Sequence, residues 1–343
     1  MKYIAMFGLM LLLASCNKGN GDLSNLSETV IVRTNGADMP VHVHGNMNSN
    51  VIIFLIHGGP GGNGLEYRAG NYSAELEKKY AVAYWDQRGQ GMAQGHYTKE
   101  DITIETMVED MDAVVKVLKA KYGDNKSIFV MGHSWGGTLS AKYMITKDYQ
   151  THVKGWIEVD GAHDIPKLNR DAVAMYIAEA NTQIALGNNV ANWQGILDWA
   201  NAIDVNNITE AQGGEINSNG NKVAGWLQQD GFIYPSDRGG HQNVTGQINP
   251  LTSLLSGNYT NQELLEIEQL SLTNELYKVT IPTLVLWGKY DFVVPPSLGQ
   301  DTYDNVGSAV KKFVLFDKSA HSPMDNEWEK YVEEVSTFID ANK

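Results

Sequence analysis

The residues best suited to chemistry in this sequence are a serine, an aspartate and a histidine that lie far apart along the chain. Ser134 stands at the centre of residues 132–136, GHSWG, directly after an apolar run. A serine hydroxyl is a weak nucleophile at neutral pH, and it becomes reactive when a carboxylate orients a histidine base beside it. Asp291 and His321 follow in the chain order expected when the serine lies on a G-x-S-x-G turn. We therefore predict a triad of these three residues that catalyses acyl transfer.

Two positions compete for the role of the triad acid. Asp291 lies in the loop after a predicted strand, whereas Asp160 ends the strand that follows the nucleophile helix. Asp317 and Asp325 are close to His321 in sequence, but neither follows the preceding strand as the acid should. We predict Asp291 as the acid, with Asp160 as the alternative.

A glycine-rich turn provides the second part of this chemistry. Residues 57–62, HGGPGG, follow a buried apolar run at residues 51–56. Acyl transfer develops negative charge on the carbonyl oxygen, and a preformed backbone N–H aimed at that oxygen stabilises it by about 3 kcal/mol. We predict that Trp135 and Gly59 donate these N–H groups, because a side chain on the turn would block the carbonyl. Gly58 is the alternative to Gly59.

Strands and helices alternate around these residues. A hairpin is predicted from residues 29–34 and 40–44, and further apolar runs predict strands at residues 51–56, 81–85, 127–131, 153–159, 283–287 and 312–316. Amphipathic or apolar patterns predict helices at residues 65–79, 104–118, 135–147 and 328–339. Such alternation indicates an α/β protein with a mostly parallel sheet, covered by helices on both faces.

Composition divides the chain further. The predicted core comprises residues 30–161 and 275–343, and residues 17–29, rich in Asn, Gly and Ser, are predicted to be a tether. Residues 162–274 are crowded with Asn, Gln and Gly and contain no convincing buried strand. We predict that this segment is a mainly helical cap, inserted over one end of the sheet.

The first sixteen residues are typical of a secretory signal. Lys2 precedes an apolar run over residues 3–14, which is too short to span a bilayer but suits the central region of a signal peptide. The run ends in LASC at residues 13–16, and Cys16 is the sole cysteine. This ending resembles the lipobox of bacterial lipoproteins, which implies lipid attachment at Cys16 and a location in the bacterial cell envelope, on the periplasmic or surface side. A plain signal peptide with an incidental cysteine is the alternative.

Charge and motif content exclude several partners. The formal net charge of -14 and the lack of any basic block argue against nucleic-acid binding, which needs a basic surface. No phosphate-binding loop or nucleotide fingerprint follows a predicted strand, so no cofactor is predicted. His42 and His44 alternate on a strand without a third ligand nearby, so no metal site is predicted.

The motifs together resemble one branch of a known family. They are HGGPGG at residues 57–62, WDQRGQG at residues 85–91 and GHSWGG at residues 132–137, followed by Asp291 and His321. This set resembles the proline iminopeptidases, which are α/β-hydrolases and serine peptidases of the prolyl aminopeptidase type. The resemblance implies the α/β-hydrolase fold and a serine hydrolase that acts through an acyl-enzyme. The implied substrate is a short peptide or a small molecule. From short peptides the enzyme would release N-terminal residues, proline above all.

The predicted cap departs from the pattern of these relatives. They commonly carry a Trp-Glu pair that helps to hold the free amine of the substrate, whereas Trp199 is followed by Ala200 and Trp193 by Gln194. By chemistry alone, the cap acids that could replace this pair are Glu179, Glu210, Glu215, Asp230 and Asp237. An esterase or lactonase for small neutral acyl compounds is the alternative function, and an inactive hydrolase-fold binding lipoprotein is a lesser one.

Substituting Cys16→Ser tests the predicted lipid anchor. The variant should lose lipid attachment, because the cysteine thiol is the atom that accepts the diacylglycerol. The chain should then stay uncleaved or be released in soluble form, with the folded part unaffected. Palmitate labelling and membrane fractionation measure this, and labelling equal to that of the wild type would contradict the prediction.

Overall fold

A nine-stranded sheet runs through the described part of the chain, which comprises residues 22–237, 267 and 269–343 of this computed structural model. The strands are β1 (Leu26–Thr34), β2 (Ala37–Gly45), β3 (Val51–Ile56), β4 (Ala81–Trp85), β5 (Gln94–Gly95), β6 (Ser127–His133), β7 (Gly155–Val159), β8 (Thr283–Gly288) and β9 (Lys311–Phe316). Their order is β1-β2-β4-β3-β6-β7-β8-β9, and β5 pairs with β2 outside this path. Strands β3, β4 and β6 to β9 pair in parallel, whereas β2 pairs antiparallel with its neighbours.

Helices cover both faces of this sheet, and three further helices pack in an apolar cluster of their own. The helices are α1 (Asn71–Lys79), α2 (Ile104–Tyr122), α3 (Trp135–Ile145), α4 (Ile165–Leu186), α5 (Val190–Asn201), α6 (Glu210–Gln229), α7 (Pro296–Asn305), α8 (Pro323–Asn326) and α9 (Trp328–Asn342). The predicted fold class, a mostly parallel sheet between helical layers, is confirmed. Within the described ranges, no helix combines the length and the apolar character needed to cross a bilayer.

Strand β3 explains why the core sequences are continuous apolar runs. Its alternate residues Ile52, Phe54 and Ile56 belong to the apolar core that includes α2 and α3. The intervening residues of the same strand belong to the core that includes α1 and α9. Because successive side chains of a strand point to opposite faces, a strand covered on both faces needs apolar residues at every position.

One predicted helix is interrupted, and one predicted linker is partly a strand. Residues 65–79 form a 3-10 helix at Gly64–Arg68 and then α1, which corrects the prediction of a single helix. Gly70 is extended, so the helical backbone is interrupted there before α1 begins. A Cβ atom at this residue would lie 2.7 Å from the ring of Tyr72, which favours glycine. Strand β1 begins at Leu26 and therefore takes in the end of the predicted tether. The predicted signal peptide and lipidated Cys16 lie outside the described residues.

Helices α4 to α6 come between β7 and β8 in the sequence, and their apolar side chains form a cluster of their own. Trp193 is buried there and packs edge-on against Trp226, with 5.4 Å between ring centroids. Trp199 packs in the same way against Tyr176 at 5.3 Å. Phe292, from the loop after β8, joins this cluster. We call residues 165–229 the cap helices; residues 238–266 and 268 of the predicted cap lie outside the described residues.

A buried ion pair ties the turn after β4 to α2. Arg88 is fully buried, and its guanidinium donates to both carboxylate oxygens of Asp110, at 2.8 and 2.7 Å. The same group donates to the carbonyl oxygen of Asn35 at 2.9 Å and lies 5.2 Å from the ring of Tyr97. Burial raises the pKa of the Asp110 carboxyl even with Arg88 beside it. Arg88 therefore joins three segments of the core and serves the structure of this turn.

Substituting Arg88→Met should lower the free energy of unfolding by about 3–5 kcal/mol, because it leaves the buried Asp110 carboxyl without its partner. Urea unfolding measures the change. Arg33→Met is the matched control, since Arg33 also pairs with a carboxylate, that of Asp38, but its side chain is 79% exposed. The control should change stability little. Equal shifts of the unfolding midpoint in the two variants would contradict the structural role of Arg88.

Candidate active site

The turn between β6 and α3 holds Ser134 in a strained backbone conformation with positive φ. Its φ and ψ angles are 57° and -121°, which a residue with a side chain rarely adopts. A Cβ atom on Gly132 would lie 2.3 Å from the carbonyl oxygen of Gly136, and one on Gly136 would lie 2.1 Å from that of Ile56. Both glycines are therefore required by close backbone contacts, and the tight turn directs the serine side chain out of the sheet.

A chain of hydrogen bonds joins Ser134, His321 and Asp291. The Ser134 hydroxyl lies 2.9 Å from Nε2 of His321, and Nδ1 of that ring lies 2.8 Å from Oδ2 of Asp291. A carboxylate only accepts, so Nδ1 of His321 carries the proton and Nε2 accepts from the serine hydroxyl. The His321 side chain is 19% exposed and Asp291 is fully buried. This arrangement can withdraw the serine proton toward a ring that a buried carboxylate orients.

The Asp291 carboxylate is itself fixed by backbone groups. Its Oδ1 accepts from the N–H groups of Val293 and Val294, at 2.9 and 2.8 Å, while Oδ2 accepts from His321. Asp291 lies just beyond β8, and His321 lies in the loop after β9. Since β6, β8 and β9 are parallel, their carboxyl ends share one edge of the sheet, and residues distant in sequence meet there.

Asp160, the alternative acid, occupies a different place. It is fully buried beyond β7, and its Oδ1 accepts from the N–H of Gly288 at 2.9 Å. Burial and the neighbouring charge of Asp291 raise the pKa of Asp160 well above its ordinary value, which favours the neutral form. The structure therefore places Asp291, and not Asp160, against Nδ1 of His321.

The predicted oxyanion donors line one cavity with the serine. Gly59, Ser134 and Trp135 all border a cavity of about 200 Å³. Gly59 has φ +132°, a conformation that favours glycine. Trp135 is the first residue of α3, where backbone N–H groups have no partner within the helix and favour negative charge. The alternative donor, Gly58, already donates its N–H to the hydroxyl of Tyr67 at 2.8 Å, which favours Gly59.

Two glutamines that sequence reasoning did not assign support this turn. Gln87 donates to the carbonyl oxygen of His57 at 2.9 Å and accepts from the indole N–H of Trp135 at 2.9 Å. Gln90 accepts from the N–H of Gly61 at 2.7 Å. The WDQRGQG motif therefore holds the glycine-rich turn against α3, and its position directly after a buried strand was the available signal.

His57 stabilises the turn from within. It is fully buried, and burial lowers the pKa of its ring, so the neutral form is favoured. Its Nδ1 donates to the carbonyl oxygen of Gly58 at 2.7 Å. This contact agrees with an ordering role for the ring.

A second cavity, of about 220 Å³, borders the same serine. Its lining includes Ser134, His321, Tyr67 and the carboxylate residues Glu66 and Asp325. Asp325 is only 3% exposed, whereas Glu66 is exposed and its Oε1 accepts from Asn63. Sequence reasoning weighed Asp325 only as a triad acid and did not single out Glu66. No sequence pattern places a carboxylate on α8 beside the serine of the turn before α3, so tertiary structure alone shows that Asp325 and Ser134 are neighbours.

The five predicted cap acids lie elsewhere. Glu215 accepts from the indole N–H of Trp199 at 3.1 Å, and Glu179 accepts from Gln183 at 2.7 Å. Asp237 accepts from Asn71 at 2.5 Å. Glu210 borders a separate cavity on the cap, and Asp230 follows the end of α6. Among the described residues, neither cavity beside Ser134 has a cap acid in its lining.

One group of side chains within the described residues has the spacing of metal ligands. Ligand atoms of His133, Asp160 and His321 lie within 4.8 Å of one another. However, Nε2 of His321 faces the Ser134 hydroxyl, and Nε2 of His133 lies 2.7 Å from the carbonyl oxygen of His321. Both nitrogens thus take part in hydrogen bonds of the site, and this grouping is best interpreted as a hydrogen-bonded cluster.

Comparison with known families identifies a clear match. The family model Hydrolase_4, described as serine aminopeptidase, S33, matches residues 50–206 and 258–329 of this chain. These ranges include Ser134, Asp291 and His321.

Individual relatives and structures agree with this match. The chain is 26% identical over 299 residues to a proline iminopeptidase of Saccharolobus solfataricus, covering 85% of this chain and 86% of that protein. It is similar to the crystal structure of a proline iminopeptidase of Mycobacterium smegmatis, with a TM-score of 0.62, 17% identity, and coverage of 92% and 98%. It is also similar to an esterase of Exiguobacterium antarcticum, with a TM-score of 0.59, 19% identity, and coverage of 92% and 100%. These structural likenesses confirm the predicted α/β-hydrolase fold.

Substituting Asp291→Asn and Asp160→Asn separately distinguishes the two acids. Asp291→Asn should lower turnover by about 10⁴-fold, because an amide favours the wrong tautomer of His321. Asp160→Asn should have a much smaller effect, because an amide resembles the neutral carboxyl. The kcat of each purified variant on an activated ester measures this, with Ser134→Ala as the inactive baseline. A larger loss in Asp160→Asn than in Asp291→Asn would identify Asp160 as the acid.

Proposed function

Because this chain belongs to the serine aminopeptidase family S33, we propose that it releases N-terminal residues from short peptides through an acyl-enzyme on Ser134. The observation that carries this proposal is the hydrogen-bonded chain from Ser134 through His321 to the buried Asp291. The proline iminopeptidases among its relatives make proline the first residue to test.

Acylation follows from the geometry of the three side chains. Nε2 of His321 takes the hydroxyl proton as Ser134 Oγ attacks the carbonyl carbon of the first peptide bond. Asp291 keeps the other ring nitrogen protonated and stabilises the imidazolium that forms. The N–H groups of Gly59 and Trp135 stabilise the oxyanion. His321 then gives the proton to the departing amine, and the bond between carbonyl carbon and nitrogen breaks.

Deacylation repeats these steps with water. His321 takes a proton from a water molecule, whose oxygen attacks the acyl carbon of the ester on Ser134. The oxyanion forms again at the same N–H donors. When it collapses, the serine oxygen leaves and recovers its proton from His321, which restores the starting state.

Recognition of a free N-terminus requires a carboxylate close to the nucleophile. An ammonium group that is partly removed from water needs a partner of opposite charge. Asp325 and Glu66 share a cavity with Ser134 and His321, which supports a role for them in binding the substrate amine. This assignment places the amine site in the core, in contrast to the cap acids that the sequence suggested.

A second candidate function is hydrolysis of esters or lactones with neutral acyl groups. The cavity that Gly59 and Trp135 border is lined on its cap side by Ile165, Leu168 and Ile216. Its described lining contains no charged side chain, so a neutral acyl group would fit there without a desolvated charge.

We further propose that the mature protein is a lipoprotein of the bacterial cell envelope, anchored through Cys16. The apolar run over residues 3–14 and the LASC ending support this location. A lipid anchor would hold the hydrolase domain close to a membrane surface.

The amine requirement distinguishes the two candidate functions. An aminopeptidase should lose about 10²-fold or more in kcat/KM when the N-terminus of a prolyl or alanyl chromogenic amide is acetylated, because the carboxylate loses its partner. Asp325→Asn should lower kcat/KM for the free amine and leave that for the acetylated amide unchanged.

Asp317→Asn is the matched control, because Asp317 lies four residues before His321 in sequence and its side chain is 73% exposed. It should behave as the wild type toward both substrates. Equal rates on free and acetylated amides, or turnover of simple esters alone, would favour the esterase.

A further inference from the structure

Three hydrogen bonds join the glycine-rich turn to the His321 loop through side chains that the acyl-transfer steps do not use. The N–H of Gly58 donates to the hydroxyl of Tyr67 at 2.8 Å. That hydroxyl lies 2.6 Å from Nδ1 of His133. Nε2 of His133 lies 2.7 Å from the backbone carbonyl oxygen of His321.

The two ends of this chain set the direction of each hydrogen bond for a neutral His133 ring. The Gly58 N–H can only donate, and the His321 carbonyl can only accept. The His133 proton is therefore on Nε2, and Nδ1 accepts from the Tyr67 hydroxyl. Every bond points from the glycine-rich turn toward the His321 loop, so loss of either side chain breaks the connection.

Packing also restrains these rings. His133 is buried, and its ring centroid lies 4.8 Å from that of His321 and 5.5 Å from that of Tyr67. The Tyr67 and His133 rings meet edge-on, which is a favoured aromatic geometry. Hydrogen bonds in such a partly desolvated place are stronger than in water, and bonds in series reinforce one another.

The hydrogen-bonded connection links residues that are adjacent to, or part of, the proposed catalytic groups. His133 precedes Ser134, Gly58 precedes the predicted donor Gly59, and the accepting carbonyl belongs to His321 itself. We propose that Tyr67 and His133, which we call the relay, are positioning residues. They keep the glycine-rich turn and the His321 ring aligned with the Ser134 hydroxyl. This inference rests on the proposed roles of Ser134, Gly59 and His321.

A fluorophosphonate probe tests the relay without depending on the natural substrate. Ser134 Oγ attacks the phosphorus, fluoride leaves, and His321 takes the serine proton, so the reaction requires an aligned base and oxyanion site. His133→Leu and Tyr67→Phe should each lower the first-order inactivation rate constant by about 10²-fold, the effect of a small misplacement of reacting groups. The inhibition constant should stay close to that of the wild type.

Rescue and coupling distinguish the relay from a general loss of packing. His133→Gln keeps one acceptor and one donor on a side chain of similar reach, so it should recover most of the rate that His133→Leu loses. The double variant Tyr67→Phe/His133→Leu should be no slower than the slower single variant, because one break already disconnects the relay. If His133→Leu does not fold, Tyr67→Phe and His133→Gln still provide the comparison.

Tyr80→Phe is the matched control. Tyr80 is a buried tyrosine, whereas Tyr67 is partly buried, and the Tyr80 hydroxyl donates to Asp340 in α9 at 3.0 Å, away from the site. It should react at the wild-type rate. Relay variants that react as fast as this control, or that change the inhibition constant alone, would overturn the relay. A folded wild type that the probe does not label would instead refute the role proposed for Ser134.

Discussion

The positive-φ backbone of Ser134 is the constraint on which the rest of the site depends. The strained residue is held from both sides, since its N–H donates to the carbonyl oxygen of Val159 at 3.0 Å and its carbonyl accepts from Ala162 at 3.2 Å. Strain of this kind persists only where surrounding contacts over-determine the conformation. Strand β7 supplies the first of these contacts, and the segment that leads to the cap helices supplies the second. The conformation of the turn therefore depends on both the sheet and the start of the cap segment.

The turn after β4 shows how a short motif can serve both stability and geometry. Asp86 accepts from the N–H groups of Gly64 and Met92 at 2.8 and 2.9 Å, while Gln87 bridges the glycine-rich turn and α3. Arg88 turns away from the site and pairs with Asp110. Consecutive residues thus anchor the turn to different segments of the core. These contacts fix the glycine-rich turn, which carries the predicted oxyanion donor Gly59, without requiring that the motif contact a substrate.

The loop that carries Asp291, the acid of the proposed triad, contacts both the sheet core and the cap helices. Asp291 accepts hydrogen bonds from His321 and from backbone groups of its own loop, and the next residue, Phe292, packs against Tyr176 of α4 at 5.0 Å. Asp160 is buried nearby, and its burial and the charge of Asp291 raise the pKa of the Asp160 carboxyl, which favours the neutral form. One charged and one neutral carboxyl can share such a region, whereas two buried charges would repel each other strongly. Because Phe292 packs among the cap helices, the loop that carries Asp291 is fixed against them.

The sequence alone determined the parts of this protein whose signals are local. Apolar runs predicted the central strands, the glycines at 132 and 136 predicted a tight turn, and the order of Ser134, Asp291 and His321 predicted a triad. Tertiary structure decided what depends on distances between separate elements. Asp160 and Asp291 both follow strands, and only packing shows which carboxylate faces the histidine; likewise, only packing brings Asp325 beside the serine. These contacts depend on how two separate elements pack against each other. The sequence of either element alone carries no periodic pattern that reports such a contact.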